Sequence, residues 1–258
     1  MELTERDLRI LETLRAHRVL TTPQVGELFF YGRSARVAQR RLLILAVDDL
    51  VHRFLPPGAG RHVPNHWALG AEGASVLAPR LGVPVDEVGY RATAQRHLRL
   101  SSQLGHAVGL SQTYVSFVTS ARKTPGAKIQ RWWPESECRV NWGRHVRPDG
   151  YLRWSHGDKV LDVFVEYDTG SETLSRVTGK VSRYRSLAEE TGICSPVLFV
   201  VPGPGRADNL CRMLGAGSTW VPVYVTTLEQ LMDPGPTRPI WRKAGDRTHT
   251  LHELAEIG

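Results

Sequence analysis

The sequence predicts an α+β protein in two parts, a helical part that ends in a hairpin and a second part with the element order αβββαβ. In the first 90 residues, apolar side chains recur at the three- and four-residue spacing of helices. From about residue 128 they alternate as they do in strands, with further helices between the strands. We therefore predict two domains, residues 1–90 and residues 91–258.

Three short helices are predicted in the first domain. The first spans Thr4–Ala16 and has Thr4 as its cap. The second starts at a Thr22 cap and carries Pro23 in its first turn, where a missing amide hydrogen costs nothing. The third runs over Ser34–Asp49. The residues expected to face inward on the third helix are Ala35, Ala38, Leu42 and Leu45.

A hairpin is predicted directly after the third helix. A short strand leads into a loop rich in proline and glycine that carries Arg61 and His62, and a second strand follows at His66–Leu69. Three helices and a two-stranded wing are typical of a winged helix-turn-helix, whose third helix enters the major groove of DNA. The alternative is a small helical bundle whose arginines contact solvent.

Arginines mark the surface that would contact DNA. Three of them fall together on one face of the third helix, away from its apolar stripe, and the tip of the wing is also basic. The residues predicted to bind DNA are Arg33, Arg36, Arg40, Arg41 and Arg61.

The charge of the chain also favours a phosphate-bearing partner. The net charge is +7, with 28 arginines and 5 lysines, and an arginine guanidinium bonds two phosphate oxygens at once. Residues 93–147 carry nine basic and two acidic side chains, which concentrates the positive charge in the middle of the chain. The alternative explanation is codon bias in a GC-rich genome, which raises the arginine content without any partner.

Several classes of protein are excluded by composition. The chain has no run of about 18 apolar residues and begins with MELTERDLRI, so we expect neither a membrane span nor a secretion signal, and we predict a cytoplasmic location. No GxSxG motif indicates a serine hydrolase. The three cysteines form no CxxC pair, which argues against disulfides and a zinc site. They are Cys138, Cys194 and Cys211.

The second domain is predicted to open with a long helix, at about Gln95–Ser120. The strand SPVLFVV is apolar throughout, as a strand covered on both faces should be. The segments predicted after the long helix are strands at 127–133, 149–154 and 159–168, a helix at 172–190, a strand at 195–201, a helix near 207–214 and a strand from 221.

The strand at 161–168 ends in carboxylates that share one face. Alternation places Glu166 on the polar side of this strand, and the preceding strand places Asp149 on the same side. A two-residue turn at Gly157–Asp158 would set Asp149 directly opposite Glu166. A turn at His156–Gly157 would shift the pairing by two residues, and both acids would still share a face.

Two carboxylates this close repel each other unless a cation lies between them. A divalent metal is the usual partner, and Mg²⁺ prefers one or two carboxylates with water and phosphate oxygens. We therefore predict that Asp149 and Glu166 bind Mg²⁺ or Mn²⁺. The alternative is an inert network in which Arg147, Arg153 or Lys180 neutralises the acids.

The motifs RPDG and VEYD, followed by a helix containing KVSRY, resemble the PD-(D/E)XK nuclease superfamily. Over roughly residues 4–200, the chain resembles the replication-relaxation family of plasmid and mobile-element proteins, through TTPQVGELFF, ARVAQRRLLIL, RWWPE, RPDG, FVEYDTGSE and GKVSRY. The resemblance implies a restriction-endonuclease-like second domain. It also implies a DNA-binding protein that acts in replication or transfer, or in their regulation.

The sequence departs from the nuclease pattern at one position. Active members of the superfamily carry a lysine two residues after the second acid, and this chain has Asp168 there. Lys180, on the next helix, lies about 80° from the centre of the apolar stripe and could reach the strand ends instead. The predicted catalytic set is therefore Asp149, Glu166, Asp168 and Lys180, or else the site is degenerate.

These patterns lead to two hypotheses for function. We favour a DNA-binding accessory or regulatory protein of plasmid or mobile-element replication or transfer, because DNA binding requires the first domain alone. The alternative is a Mg²⁺-dependent DNA endonuclease or nickase, which requires a displaced lysine. The expected partners are double-stranded DNA, replication or transfer proteins and no membrane. The apolar run LLILAV also suggests burial against a second subunit, in a homodimer, or against the second domain.

Overall fold

The computed structural model describes residues 2–101, 103–215, 221–243 and 247–257. Contacts between α-carbons divide the chain into two compact units, Met1–Val115 and Ser116–Gly258. The division falls inside a helix and lies later in the chain than the predicted boundary after residue 90. The mixed α+β class is confirmed, because both units combine helices with β-sheet.

The first unit contains six helices and a small sheet among its described residues. Its three strands pair antiparallel in the order β1-β3-β2. A 3₁₀ turn at Val85–Glu87 lies between α4 and α5. The elements are α1 Glu5–His17, β1 Leu20–Thr21, α2 Thr22–Phe29, α3 Ala35–Val47, β2 Val51–Phe54, β3 His66–Leu69, α4 Ala71–Leu81, α5 Ala92–Leu100 and α6 Gln103–Lys123, the last of which continues into the second unit.

The capping threonines fix where the first two helices begin. Thr4 caps α1 as predicted, since its hydroxyl accepts from the Asp7 amide. The predicted cap at Thr22 is wrong by one residue: Thr21 caps α2, because its hydroxyl accepts from the Gln24 amide while the Gln24 side chain accepts from the Thr21 amide. The Thr22 hydroxyl instead accepts a hydrogen bond from Trp67 at 2.9 Å.

Two further predictions for this unit need correction. The long helix predicted over Gln95–Ser120 is two helices, since α5 ends at Leu100 and Ser101 is extended. The Ser101 hydroxyl donates to the Leu98 carbonyl, which is a local bond that competes with helix continuation. Ala35 was expected to face inward but is exposed, because it is the first residue of α3 and the buried stripe begins one turn later.

The second unit is built around a mixed sheet of seven strands, in the order β10-β9-β8-β7-β6-β5-β4. Strands β6, β7 and β8 are parallel neighbours, and the remaining pairs are antiparallel. Its elements are β4 Ala127–Pro134, α7 Glu135–Trp142, β5 Gly150–His156, β6 Lys159–Tyr167, α8 Leu174–Thr191, β7 Val197–Val201, α9 Pro204–Gly215, β8 Val223–Thr227, α10 Leu228–Met232, β9 Trp241–Arg242, β10 Thr248–His249 and α11 Leu251–Ile257.

Both faces of the central strands β6, β7 and β8 are largely covered, so the predicted polar face is exposed only toward the hairpin turn, where Arg153 and Asp162 are 40% and 30% exposed. On one side, Phe164 of β6 packs in a core with Val181 and Tyr184 of α8. On the other side, Val163 and Leu152 pack in a second core that also includes residues of α10 and α11. Glu166 therefore lies beneath α8 rather than on an open surface.

Among the described residues, no helix is both long enough and apolar enough to cross a bilayer.

Candidate functional site

The β5–β6 hairpin has the first of the two registers that the sequence allowed. His156 pairs with Lys159 across the turn at Gly157–Asp158, and Gly150 pairs with Val165 at the far end. Gly157 has a φ of +60°, a backbone conformation that glycine adopts without strain. Continuing this register by one residue would place Asp149 opposite Glu166, as expected for a turn at Gly157–Asp158.

Asp149 and Glu166 are both buried at the open end of the hairpin. Asp149 is 7% exposed and Glu166 is 2% exposed. The backbone amide of Tyr167 donates to Asp149 Oδ2 at 2.9 Å, which holds this carboxylate against the end of β6. Buried carboxylates need partners of this kind, because loss of hydration penalises the ionised form.

Lys180 reaches these acids from α8. Its Nζ lies 2.5 Å from Glu166 Oε2 and 3.6 Å from Asp149 Oδ1. One turn further along α8, the Tyr184 hydroxyl donates to Glu166 Oε1 at 2.6 Å. Both oxygens of Glu166 are thereby engaged by groups of one helix. We call Asp149, Glu166, Lys180 and Tyr184 the acid–lysine cluster.

Charge and burial set the protonation of the acid–lysine cluster. Burial and the neighbouring charge of Asp149 raise the pKa of Glu166 to about 8, although Lys180 and Tyr184 favour its ionised form. Burial would lower the pKa of Lys180, but Glu166 and Asp149 together raise it above its ordinary value, so Lys180 stays an ammonium ion. Burial, followed by the Glu166 charge, raises the pKa of Tyr184, which therefore remains a proton donor.

Asp168 does not join the acid–lysine cluster, although it belonged to the predicted catalytic set. Arg206 of α9 donates to Asp168 Oδ2 at 2.6 Å and to the Glu172 carbonyl at 2.7 Å. The other carboxylate oxygen accepts from the Gly170 amide at 2.9 Å. Asp168 thus ties the end of β6 to α9 and to the loop that leads into α8.

The donor set of the cluster suits a hard divalent cation. Within the described part of the chain, no group of three or more His, Cys, Asp or Glu side chains could hold a metal ion. Two carboxylates are nevertheless within the range that Mg²⁺ uses when water and phosphate oxygens complete its shell. Lys180 now neutralises both acids, so its ammonium group would have to withdraw from Glu166 for a cation to bind there.

Four of the five predicted DNA-binding arginines are exposed in the first unit. Arg33, Arg36 and Arg40 lie on or just before the outer face of α3, away from the buried stripe, and we call them the arginine face. Arg61 is exposed in the connection between β2 and β3.

Arg41, the fifth predicted residue, is part of an internal ion pair. Its guanidinium donates to both oxygens of Asp7, from Nε to Oδ1 at 2.8 Å and from the second donor to Oδ2 at 2.5 Å. Burial would raise the pKa of Asp7, but hydrogen bonds from Arg41 and Thr4 lower it below its ordinary value. This pair joins α3 to the start of α1, so Arg41 holds the helices together.

The outer side of α3 changes character along its length. Beyond the arginines, Leu43 and Ile44 are 38% and 39% exposed, and Val47 is 84% exposed. A groove of about 750 Å³ beside them is lined by Phe30 and Val37 among other residues. These exposed apolar residues come from the run LLILAV, and the homodimer that the run suggested stays a prediction.

Two functional contacts were missed by sequence reasoning. Tyr184 was assigned to the buried stripe of α8, and its position four residues after Lys180 was the available signal for a shared target. Arg206 follows a Gly-Pro-Gly segment and lies far from Asp168 in sequence, so no local pattern indicated their pairing.

Comparison with known proteins identifies a family. The replication-relaxation family model matches residues 11–202, which is well over half of the chain. A search of curated proteins and a search of solved structures both gave no match. The match includes α3, the β5–β6 hairpin and the acid–lysine cluster. The chain therefore belongs to the replication-relaxation family, which indicates a role in plasmid or mobile-element replication.

Proposed function

We propose that this protein binds double-stranded DNA as an accessory or regulatory factor in the replication or transfer of a plasmid or other mobile element. The observation that carries the proposal is the arginine face, in which Arg36 and Arg40 are exposed on one side of α3, Arg33 is exposed just before it, and the other side of the helix is packed in a core. Family membership supports the process, and the net charge of +7 supports a polyanionic partner.

In this proposal the first unit acts as a winged helix-turn-helix. Helices α1, α2 and α3 are followed by the β2–β3 hairpin, and β1 completes a three-stranded sheet beside them. The third helix of such a domain lies in the major groove while the hairpin connection contacts the backbone. Arg36 and Arg40 would then approach DNA from α3, and Arg61 would approach it from the connection between β2 and β3.

Arg41 is left out of the proposed DNA surface. Its guanidinium already satisfies a buried carboxylate, and transferring it to a phosphate would leave Asp7 charged and without its partner. We therefore assign Arg41 to the stability of the first unit and the arginine face to DNA.

The test is a binding titration with labelled double-stranded DNA at several salt concentrations. Arg36→Ala and Arg40→Ala should each weaken binding and reduce the salt slope by about one for each lost phosphate contact. Arg9→Ala, which removes an exposed arginine of α1, is the matched control and should bind as the wild type does. Equal affinities and slopes for all four proteins would refute the proposal.

A second function is favoured by the acid–lysine cluster. We propose, as the alternative, that the second unit is a restriction-endonuclease-like domain that cleaves DNA with the help of Mg²⁺ or Mn²⁺. The supporting observation is the convergence of Asp149, Glu166 and Lys180, in which the Lys180 ammonium nitrogen lies within 3.6 Å of an oxygen of each acid. In this alternative, Lys180 would take the role of the lysine that the nuclease superfamily usually carries two residues after the second acid, where this chain has Asp168.

Each residue of the cluster has a distinct role in this alternative. Asp149 and Glu166 would hold the metal, which when bound would supply a nucleophilic hydroxide and neutralise charge on the phosphate. Tyr184 would orient Glu166 through its hydrogen bond. Lys180 would move from Glu166 toward the water or the phosphate, as an ammonium donor.

The alternative is tested by incubating supercoiled and linear DNA with the protein and Mg²⁺ or Mn²⁺. Asp149→Ala and Glu166→Ala should abolish cleavage, whereas Asp158→Ala, which removes an exposed acid from the hairpin turn, should cleave as the wild type does. Cleavage that persists in the two cluster variants would come from a contaminant. Absence of cleavage in every protein would leave the acid–lysine cluster as an internal ion-pair network.

A further inference from the structure

Two histidines of the second unit face each other through the same ring nitrogen. His156 is the last residue of β5, and His252 lies in the first turn of α11. Their Nδ1 atoms are 3.4 Å apart, and the two rings meet edge to face with centroids 5.1 Å apart. This pair belongs neither to the acid–lysine cluster nor to the arginine face.

The surroundings of His156 determine which of its nitrogens carries hydrogen. The Pro125 carbonyl oxygen lies 3.1 Å from His156 Nε2. Because a carbonyl oxygen can only accept, the hydrogen belongs on Nε2, and Nδ1 of the neutral ring then presents a lone pair.

His252 approaches His156 from α11. Its Nε2 lies 3.6 Å from Glu256 Oε1, one helical turn further along, which is an ion-pair distance rather than a hydrogen bond. With hydrogen on Nδ1, His252 donates to the lone pair of His156, and with hydrogen on Nε2 it presents its own Nδ1 lone pair instead. A cation bound between the two Nδ1 atoms requires the second tautomer.

We propose that His156 and His252 together bind a divalent transition-metal ion of the Zn²⁺ class. Zinc–nitrogen bonds are about 2.0–2.1 Å long, and tetrahedral geometry then separates two ligand nitrogens by about 3.3–3.4 Å. The observed separation matches this value. Imidazole is also the ligand type that Zn²⁺, Cu²⁺ and Ni²⁺ favour over Mg²⁺.

The residues around the pair have the features of a second coordination shell. Histidine ligands of metals usually donate their other ring nitrogen to a carbonyl or a carboxylate, as His156 does toward Pro125, and the Glu256 carboxylate lies 3.6 Å from the corresponding nitrogen of His252. Gly126 leaves room for this arrangement, because a Cβ there would lie 3.3 Å from His156 Cδ2.

The proposed ion would have two protein ligands within the described residues, so water or an external ligand would complete its shell. It would also join the C-terminal helix α11 to the β5–β6 hairpin. Binding should therefore reduce hydrogen exchange in the backbone of α11, which is a consequence that an ion elsewhere on the surface would not have.

The experiment is a titration of the full chain with Zn²⁺ by calorimetry, repeated with Co²⁺ to observe its ligand-field absorption. We expect one transition-metal site that loses at least about tenfold in affinity in His156→Ala and in His252→Ala. His97→Ala, which removes an exposed histidine of α5, is the matched control and should keep the affinity of the wild type. Asp149→Ala should keep it too, which separates this site from the acid–lysine cluster.

Hydrogen exchange of α11 with and without Zn²⁺ is the second measurement. Protection of residues 251–257 in the wild type and its loss in His252→Ala would support the site. Equal Zn²⁺ affinity in the wild type and both histidine variants, or no Zn²⁺ binding to the wild type, would overturn the proposal. His252 is 44% exposed, so its replacement should leave the fold intact even if that of His156 does not.

Discussion

Replacing Lys180 by methionine would remove the cation from the acid–lysine cluster while keeping most of the side-chain volume. Asp149 and Glu166 would then remain buried as two neighbouring carboxylates without their shared ammonium group. Breaking a buried ion pair in this way costs roughly 3–5 kcal/mol. The Lys180 side chain is 33% exposed, so solvent screening reduces this cost, and we expect a loss of about 2 kcal/mol in the free energy of unfolding.

The loss should depend on pH in a defined direction. The folded-state pKa of Glu166 is raised to about 8, above its ordinary value of 4.5. Protonation of Glu166 therefore stabilises the folded state at low pH, and this contribution disappears as the pH rises through about 8. Lys180→Met should consequently be nearly as stable as the wild type near pH 6 and should lose stability above pH 8.

Urea denaturation followed by circular dichroism at these two pH values measures the effect. Lys159→Met, which removes a lysine from the start of β6, is the control and should change stability by less than about 0.5 kcal/mol. The double variant Lys180→Met/Glu166→Gln should recover most of the loss, because one of the two carboxylates is then gone. Equal loss for Lys180→Met at both pH values, or no rescue in the double variant, would refute this account of the cluster.

Divalent metal gives the same cluster a second readout. If Asp149 and Glu166 bind Mn²⁺, the ion competes with the Lys180 ammonium group and with the proton on Glu166. Mn²⁺ should therefore bind Lys180→Met more tightly than it binds the wild type. In the wild type its affinity should fall about tenfold for each unit of pH below 8, because one proton is displaced for each metal bound.

Three further predictions concern the first unit. Thr21→Ala should destabilise it by about 1 kcal/mol through loss of the α2 cap. Thr22→Ala should leave the cap intact and should act only through loss of the hydrogen bond that Trp67 donates to the Thr22 hydroxyl. In urea denaturation, Thr22→Val, which restores the bulk but not the hydroxyl, should therefore not recover the stability lost in Thr22→Ala. Burial lowers the pKa of His17 to about 3, so the stability that neutral His17 contributes is present above pH 6.5 and is lost as the pH falls toward 3. His17→Phe keeps a ring against Tyr114, and thermal melts at several pH values should show that it removes this acid-dependent loss, which amounts to up to several kcal/mol in the free energy of unfolding. Arg41→Ala should lower the melting temperature far more than an arginine-face variant does, and unchanged melting would contradict its structural assignment.

The shared face of Asp149 and Glu166 could be predicted because the alternation of apolar residues assigns each side chain to a face. The sequence left two turns open, and the structure has the one at Gly157–Asp158, which fixes which residues are opposite each other. Lys180 could also be placed, because its angle on the helix relative to the apolar stripe follows from the regular geometry of α8. Both inferences depend on neighbours that are close in sequence.

Other features were decided by contacts between distant residues. Thr21 and Thr22 are the same residue type and would cap a helix equally well. The Thr22 hydroxyl instead accepts a hydrogen bond from the indole of Trp67, a residue distant in sequence, and this leaves the cap to Thr21. The ion pair between Asp168 and Arg206 could not be predicted for the same reason, because Arg206 belongs to a helix that no sequence motif connects to β6. The two-residue strand β1 was too short to produce an alternating pattern.

The bond between Asp168 and Arg206 has a consequence for any substitution that would place a lysine at position 168. Placing a lysine at position 168 would set two cations against each other and would release the Glu172 carbonyl from the support of Arg206. A lysine at position 168 is therefore expected to be tolerated only together with a change at position 206.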